Sequence, residues 1–572
     1  MAGGGPQRTR PPQATSSAYA IGIDFGTESG RVLLLDLRSG VEAGVAVMPY
    51  ASGVIDRVLP GTGETLPGDW ALQDPDDWRA VVSTGVPAVL DAAGVAGRDV
   101  IGIGIDFTCC TVLPVIADGT PLCELPAWRA RPHAWPKLWK HHAAQGVADR
   151  LNEVARERDE PFLARYGGKI SSEWYFPKLI ELWLEDREIY EASSGFIEAC
   201  DWIVWHLTGR ERRAACSAGY KALWSPVDGL PPTEYFTAAY PGFDQPAEKL
   251  GSEFSALGER AGLLRPELAA QLGLEPSVAV AVGNVDSFVS VPGAGVLEST
   301  SFLIVMGTSI CDVVVHPDEI LLPGITGVVK DGVLSGLYGY EAGQAAVGDM
   351  LAWFVGLVAG AGDGERYSEL EAEAALVAPG ASGLLALDWW NGNRTILADA
   401  DLSGVLSGLT LQTTAAEIYR ALLESIAFGN RRIVDNFEEH GLALDRLVAC
   451  GGIAEKSPLT MQLLADTSGR RVLVPGSTEI PARGAALFGA VAAGAEAGGF
   501  PDIMAAIDAL APGTGAIYEP EPAAVAVYDE LYGLYRQLHD TLGRDQVELL
   551  HALKRIRERE APRSREREAA SL

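Results

Sequence analysis

A pattern of strand, glycine turn and strand that occurs twice is the feature that most constrains how this chain folds. The first copy covers Tyr19–Asp36 and the second covers Phe302–Val315. In each copy an apolar segment leads into a Gly-Thr turn and a second apolar segment follows, which is typical of paired β-strands. Internal similarity of this kind indicates duplicated structural units. The sequence therefore predicts two related α/β domains that face a common cleft.

The order of the remaining elements divides the chain into four parts. Val100–Phe107 and Ser277–Val282 are predicted strands, whereas Ala342–Val358 and Thr414–His440 have the periodicity of long helices. We place the domain boundary near Leu274. This gives a disordered leader at residues 1–18, an N-terminal domain at 19–274, a C-terminal domain at 275–550 and a charged tail at 551–572.

Composition argues against several classes of function. The chain has 45 Lys and Arg residues and 76 Asp and Glu residues, which gives a formal net charge of −31. This negative charge argues against nucleic acid and membrane surfaces as partners. No uninterrupted apolar segment reaches the ~18 residues that a membrane helix needs. The seven cysteines include no Cys-x-x-Cys pair and indicate reduced thiols, so we expect a cytoplasmic protein. A homodimer is left open.

The two glycine turns have the composition of phosphate-binding loops. The chain contains no Gly-x-x-x-x-Gly-Lys-[Ser/Thr] sequence, so a P-loop is excluded. A glycine between two strands lets backbone N–H groups approach a phosphate, and neighbouring hydroxyl groups add donors. Either turn alone is typical of an ordinary hairpin, and only the matched pair favours a nucleotide. The turn residues are Gly26, Thr27, Glu28 and Ser29 in the first copy and Gly307, Thr308 and Ser309 in the second.

Two further features suit such a site. Asp24 comes just before the first turn, where a carboxylate is able to hold the water shell of a Mg²⁺ ion. Gly451 and Gly452 follow the predicted strand Leu447–Ala449, at the point where an open α/β sheet presents its backbone to a ligand. A plain strand-to-helix turn is the alternative for this glycine pair.

Asp286 is the candidate catalytic residue. It follows a buried strand, and a carboxylate there is able to accept the proton of an attacking hydroxyl group. The alternative is a helix N-cap, a common role for aspartate at a strand-to-helix junction. Charged side chains and aromatic faces suit a polyol ligand, and Lys221 and Glu341 stand in segments of that composition.

In this order, these segments resemble the FGGY family of carbohydrate kinases, whose fold consists of two actin-like (ribonuclease H-like) ATPase domains around a nucleotide cleft. The similarity covers almost the whole chain. The second signature of the family fits Gly404–Glu424 except at Leu422. The most specific segments are Cys216–Trp224, with Ser-Ala-Gly-x-Lys-x-Leu-Trp, and Leu387–Gly392, with Leu-Asp-Trp-Trp-Asn-Gly. Both are most similar to those of kinases that act on L-ribulose.

The resemblance implies a reaction and a role for each candidate residue. The expected reaction is ATP-dependent phosphorylation of L-ribulose to L-ribulose 5-phosphate, in L-arabinose catabolism. Asp286 would be the general base on the sugar hydroxyl. Lys221, Glu341, Trp139 and the backbone near Cys109 would bind the sugar, mostly against the N-terminal domain.

The nucleotide would lie on the side of the C-terminal domain. The resemblance implies that both Gly-Thr turns clasp the phosphates of ATP, at Gly26–Ser29 and Gly307–Ser309. Gly451 and Gly452 would pack against the adenosine, and Asp24 would lie near Mg²⁺. The expected partners are thus a small sugar, ATP and Mg²⁺.

Departures from the family pattern keep other substrates open. Ser287 and Phe288 follow Asp286 where many relatives have Cys-His, and Tyr220 stands where His is common. Kinases of D-ribulose, ribitol or D-xylulose are therefore alternatives. A non-catalytic actin-like ATP-binding protein, chaperone-like or filament-forming, is the alternative of another class, but such proteins lack the Ser-Ala-Gly-x-Lys-x-Leu-Trp segment. A sugar-sensing regulator is disfavoured because every proposed catalytic position is present.

Overall fold

The N-terminal half supplies a mixed sheet surrounded by helices. The computed structural model describes residues 18–359 and 364–571, and the predicted leader, apart from Ala18, lies outside them. The strands of this half are β1 Tyr19–Phe25, β2 Ser29–Asp36, β3 Glu42–Pro49, β4 Val100–Phe107, β5 Val112–Val115, β6 Gly195–Glu198, β7 Arg260–Leu263, β8 Ala279–Ala281 and β9 Asn284–Val285. Its α-helices are α1 Pro75–Ala80, α2 Val86–Ala93, α3 Gln145–Glu157, α4 Tyr175–Glu185, α5 Arg187–Ala192, α6 Ala199–Thr208, α7 Ala215–Lys221, α8 Thr233–Ala239, α9 Pro266–Leu272 and α10 Asp286–Gly293.

The C-terminal half supplies a second sheet. Its strands are β10 Ser301–Met306, β11 Ile310–His316, β12 Gly327–Lys330, β13 Tyr338–Gln344, β14 Leu385–Leu387, β15 Val405–Ser407, β16 Arg446–Cys450, β17 Val472–Pro475 and β18 Thr514–Tyr518. Its helices are α11 Gly348–Ala359, α12 Gly364–Ala375, α13 Ala415–Glu439, α14 Gly452–Lys456, α15 Pro458–Ser468, α16 Ile480–Ala493, α17 Ile503–Leu510, α18 Pro522–Asp540 and α19 Val547–Ser571.

The two sheets repeat one topology. The first has the strand order β3-β2-β1-β4-β8-β7, and the second has the order β12-β13-β11-β10-β16-β17-β18. In each sheet the glycine-turn hairpin is antiparallel, and its first strand pairs in parallel with a later strand, β4 or β16. The next strand, β8 or β17, is again parallel, and an antiparallel strand closes the edge. This correspondence confirms the duplication that the two Gly-Thr turns predict.

Helix α16 from late in the chain packs against the first sheet. A methyl group added at Gly22 in β1 would lie 1.7 Å from the carbonyl oxygen of Ala482, and one at Gly104 in β4 would lie 1.8 Å from that of Ala485. The same helix packs on α10, where a methyl group at Gly484 would lie 1.8 Å from the carbonyl oxygen of Val289. Backbones approach this closely only where side chains are absent or small. The small residues of α16 thus let this helix pack closely on β1, β4 and α10.

One predicted helix is wrong over its first third, and one boundary falls inside a sheet. Ala342–Val358 was expected to be helical, but β13 extends to Gln344 and α11 begins only at Gly348. Pairing of residues 342–344 with β11 decides the conformation there, because sheet partners outweigh a local periodicity. The expected boundary near Leu274 precedes β8 and β9, which pair with β4 in the first sheet.

The long helix predicted at Thr414–His440 is confirmed as α13. Thr414 caps it with a capping box, in which Glu417 reaches back to the backbone of Thr414. The predicted charged tail, which starts at residue 551, belongs to helix α19, and this helix begins at Val547. In the part of the chain that the structure describes, no helix combines the length and the hydropathy that crossing a bilayer requires.

Candidate active site

A cavity of about 400 Å³ opens between the two halves, and most of the predicted site residues line it. Its floor and walls come from β1, α7 and α10 on one side and from the second Gly-Thr turn and β13 on the other. Glu28, Ser29, Gly451 and Gly452 are not among the described residues that line it. The predicted residues that do line it are Asp24, Gly26, Thr27, Cys109, Trp139, Lys221, Asp286, Gly307, Thr308, Ser309 and Glu341.

The first glycine turn is tied to the wall of the cavity. The backbone N–H of Gly26 donates to the carbonyl of Ser29 at 3.0 Å, which closes the turn between β1 and β2. The indole Nε1 of Trp139 donates to Oγ1 of Thr27 at 3.0 Å. One hydrogen bond therefore links the expected phosphate turn to the aromatic side chain expected beside the sugar.

The second glycine turn is held by the start of α11. The N–H of Gly307 donates to the carbonyl of Ser309 at 2.9 Å, and the N–H of Val347 donates to that of Thr308 at 2.9 Å. Gly451 follows β16, the neighbour of β10 in the sheet, and has φ 91°. A methyl group there would lie 2.5 Å from the carbonyl oxygen of Met306, so this glycine adjoins the turn without facing the cavity.

Asp286 begins α10 and faces the cavity. Its Oδ1 accepts the N–H of Ser287 at 2.7 Å, and β9 delivers it from the same sheet that carries Asp24. Burial raises the pKa of Asp286 to about 7, and the negative charge of Asp24 adds to the effect. A carboxylate with a pKa near neutral pH is suited to accept a proton during a reaction.

Asp106 lies behind Asp24 and was not among the predicted site residues. The two stand in register on the parallel strands β1 and β4. Asp106 is fully buried, and neither of its oxygens receives a hydrogen bond from a described residue. Burial, and next the charges of Asp24 and Asp286, raise its pKa well above the usual range. Mg²⁺ prefers carboxylate oxygens as ligands, and Asp24 and Asp286 both line the cavity, so the residues present fit such an ion.

Arg31 partly balances this negative charge. It lies opposite Asp24 in the β1–β2 hairpin, with Nη1 at 3.4 Å from Oδ2 of Asp24. Its Nε is 3.4 Å from Glu479, just before α16. Once β1 and β2 are paired as an antiparallel hairpin around the glycine turn, their register places Arg31 beside Asp24. The sequence could therefore have predicted this contact.

Lys221 and Glu341 form a buried ion pair across the cavity. Nζ of Lys221, at the end of α7, lies 2.6 Å from Oε2 of Glu341 in β13. Both side chains are almost fully buried. Burial alone would lower the pKa of Lys221, but the carboxylate of Glu341 raises it well above its usual value. The lysine is therefore a cation at any physiological pH, and the pair is suited to bind several hydroxyl groups.

A buried lysine was also missed by the sequence analysis. Lys178 in α4 is fully buried, and its Nζ donates to the carbonyl groups of Cys110 at 2.7 Å and Leu138 at 2.8 Å. It thereby fixes the loops that carry Cys109 and Trp139. A lysine in the otherwise apolar sequence Tyr-Phe-Pro-Lys-Leu-Ile is the signal, although nothing in the sequence gives its partners.

Glu173 and Arg394 extend the cavity beyond the predicted residues. Nη2 of Arg394 lies 3.8 Å from Oε1 of Glu173, and both line the cavity from opposite halves of the chain. Tyr220 and Phe288, two of the positions that depart from the family pattern, do not line the cavity. Both side chains are fully buried, and their ring centroids lie 4.1 Å apart.

Comparison with known protein families gives two adjoining matches. The N-terminal domain of the FGGY family of carbohydrate kinases matches residues 19–293, and the C-terminal domain of that family matches residues 302–493. Together these matches extend from the first strand of the first sheet to the end of α16.

Curated relatives match over nearly their full length. The ribulokinase of Anoxybacillus flavithermus is 49% identical over 549 residues, which are 94% of this chain and 97% of that protein. The ribulokinase of Mycolicibacterium smegmatis is 44% identical over 549 residues, with 94% of this chain and 95% of that protein covered.

Solved structures share the architecture. The xylulose kinase from Rhodospirillum rubrum superposes with a TM-score of 0.73 at 24% identity, covering 93% of this chain and 100% of that one. The gluconate kinase from Lactobacillus acidophilus gives a TM-score of 0.75 at 17% identity, with the same coverage. These likenesses confirm the predicted fold, in which two actin-like α/β domains surround a cleft.

Proposed function

Because the chain belongs to the FGGY family of carbohydrate kinases, we propose that it phosphorylates L-ribulose with ATP to give L-ribulose 5-phosphate, as a step of L-arabinose catabolism. The observation that carries the proposal is that Asp286 and the Lys221–Glu341 pair line the same cavity as both Gly-Thr turns. The relatives named ribulokinase, identical at 44% and 49% of positions, support ribulose as the sugar.

The sugar in this proposal lies between the two halves of the chain. Lys221 donates to sugar hydroxyl groups and Glu341 accepts from them, while the indole of Trp139 covers an apolar face of the carbon chain. The backbone near Cys109 completes this wall. Since Lys178 and the Thr27 hydroxyl hold these elements in place, the pocket is formed before the sugar binds.

ATP in this proposal lies with its phosphates between the two glycine turns. The backbone N–H groups and hydroxyl groups of Gly26–Ser29 and Gly307–Ser309 are the proposed donors to the phosphates. Gly451 and Gly452, one strand away, are the proposed contact for adenosine. Asp24, supported by Asp106, is the residue that would hold Mg²⁺, and the bound ion would neutralise charge on the phosphates.

The proposed reaction is an in-line displacement at the γ-phosphorus. The terminal hydroxyl oxygen of ribulose forms a bond to phosphorus as the bond to the oxygen that bridges the β- and γ-phosphates breaks, and ADP leaves. Asp286 takes the proton of the attacking hydroxyl group. Orienting two bound reactants can lower a barrier by about 7–11 kcal/mol, so alignment in the cleft contributes more than the base, whose effect is about 10²–10⁴ in rate.

The test is ADP release by the purified protein with Mg-ATP and a panel of acceptors. L-ribulose, D-ribulose, D-xylulose, ribitol and glycerol are compared at equal concentration, each with a control that lacks the sugar. We expect the highest kcat/KM for L-ribulose. A higher value for another pentulose or for ribitol would keep the kinase mechanism and overturn the proposed substrate. ADP release that no sugar stimulates would overturn the proposed function altogether and favour an actin-like ATPase of another class.

A further inference from the structure

The ring of Tyr220 fits a slot made of three glycines on the opposite half of the chain. Tyr220 lies in α7, and the slot belongs to the β12–β13 segment. Methyl groups added at Gly327, Gly332 and Gly339 would lie 2.8, 2.7 and 2.3 Å from atoms of the tyrosine side chain. Real Cβ atoms do not approach other atoms this closely, so any side chain at these positions would expel the ring or shift the hairpin.

The slot is in register with the buried ion pair. Gly327 in β12 stands directly opposite Glu341 in β13, and Gly339 is two residues away on the same strand. Directly opposite residues of an antiparallel pair present their side chains on the same face. Tyr220 and Lys221, which are neighbours in sequence, therefore contact one face of the hairpin. The ring of Tyr220 lies at Gly327, and the ammonium group of Lys221 lies at Glu341 on the paired strand.

The other face of the ring is fixed as well. Its centroid lies 4.1 Å from that of Phe288, which is two residues beyond Asp286 in α10. Helix α7 itself approaches β12 closely, since a methyl group at Gly219 would lie 2.4 Å from Cγ1 of Val329. Tyr220 is thus wedged between the hairpin that carries Glu341 and the helix that begins with Asp286.

We propose that Tyr220 is a positioning residue, which sets the distance between Lys221 and Glu341 across the cleft and thereby determines how tightly the sugar is bound. The inference rests on the proposed function, in which these two residues bind the sugar. The ring and not the hydroxyl group performs this role, because the phenol oxygen of Tyr220 is buried and has no hydrogen-bond partner among the described residues.

A double-mutant cycle tests the contact between the ring and the slot. Tyr220→Ala removes the ring, and Gly327→Ala places a methyl group whose nearest neighbours are all atoms of that ring. A misplacement of this kind is expected to raise the KM for L-ribulose by about tenfold or more in each single variant, with the KM for ATP unchanged. In the double variant the clash is absent, so the KM should resemble that of Tyr220→Ala alone instead of the product of both effects.

Two controls separate positioning from a general loss of stability. Gly85→Ala adds a methyl group 2.7 Å from Cγ2 of Val32, in a buried region that does not line the cavity. It is expected to lower Tm and to leave the sugar KM unchanged. Tyr220→Phe keeps the ring, and its sugar KM should stay within about twofold of the wild-type value.

Defined outcomes would overturn the inference. Additive effects of the two substitutions on the sugar KM, an equal rise in the KM for ATP, or a rise with Gly85→Ala would each contradict it. If the wild-type protein itself shows no sugar-stimulated ADP release, the proposed function fails and the inference about sugar binding fails with it. The Tm values of the same cycle then still report whether ring and slot are coupled, so the two failures are distinguishable.

Discussion

Nζ of Lys221 lies 2.6 Å from Oε2 of Glu341, and this buried contact joins the N-terminal half of the chain to the C-terminal half inside the cavity. Two opposite charges that are both taken out of water stabilise each other only while both are present. The pair thus couples folding and proposed sugar binding, and the two effects can be separated by mutation.

Lys221→Met should destabilise the protein by about 3–5 kcal/mol, because it leaves the carboxylate of Glu341 buried and unpaired. Adding Glu341→Gln to this variant should restore much of the stability without restoring sugar binding. Urea unfolding and the KM for L-ribulose measure the two quantities independently. Recovery of sugar affinity in the double variant would contradict the proposed role of the pair.

Asp286→Asn should lower kcat by about 10²–10⁴ with little change in ATP binding, because the amide does not accept the hydroxyl proton. In the wild-type protein, kcat/KM for the sugar should fall as the pH drops below about 7, since burial and then Asp24 raise the pKa of Asp286 to about 7 and only the ionised form is a base. Glu341 raises this pKa further, and Lys221 opposes the shift. The range from pH 6 to pH 8 covers about one unit on either side of the expected pKa. A pH profile of kcat/KM without an inflection in this range would argue against Asp286 as the base.

Asp24→Asn should raise the Mg²⁺ concentration needed for half-maximal activity by about tenfold or more. Mn²⁺ binding to the protein–ADP complex, followed by electron paramagnetic resonance, gives a readout that does not depend on turnover. Asp312→Asn is the matched control, because Asp312 is equally buried but does not line the cavity. Equal Mn²⁺ affinity in the wild-type protein and Asp24→Asn would exclude the proposed ion site.

Lys178→Met keeps the length of the side chain and removes the donor to the carbonyl groups of Cys110 and Leu138. An unsatisfied buried carbonyl costs about 1–3 kcal/mol, so Tm should fall. Because Cys109 and Trp139 lie on the released loops, the KM for the sugar should rise more than the KM for ATP. Unchanged sugar kinetics in a folded Lys178→Met protein would show that the loops keep their positions without this lysine.

The sequence predicted the fold through its most local feature. A Gly-Thr turn between two apolar segments is readable over about 18 residues, and its repetition at Gly26 and Gly307 indicated the duplicated sheet. The same local patterns misassigned Ala342–Gln344 to a helix, since only pairing with β11 makes this segment a strand. The periodicity of a short segment does not show which strand the segment will pair with.

The site was predictable where a residue stands beside a recognisable turn or segment. Asp24, Asp286, Lys221 and Glu341 all line the cavity as expected. Asp106 and Arg394 were missed, because a carboxylate within an apolar strand and an arginine within a loop acquire their partners only through the pairing of β1 with β4 and the approach of the two halves.

The position of α16 in the sequence also decides when one face of the first sheet becomes covered during synthesis. Strands β1 and β4 leave the ribosome as part of the first 107 residues, but the helix that packs on them spans Ile480–Ala493. Until that segment emerges, the face of the sheet around Gly22 and Gly104 has no native cover, and at about 5–20 residues per second this interval lasts tens of seconds. A nascent chain that stalls before residue 480 therefore exposes an apolar sheet to chaperones and to other chains, however well its N-terminal half is formed.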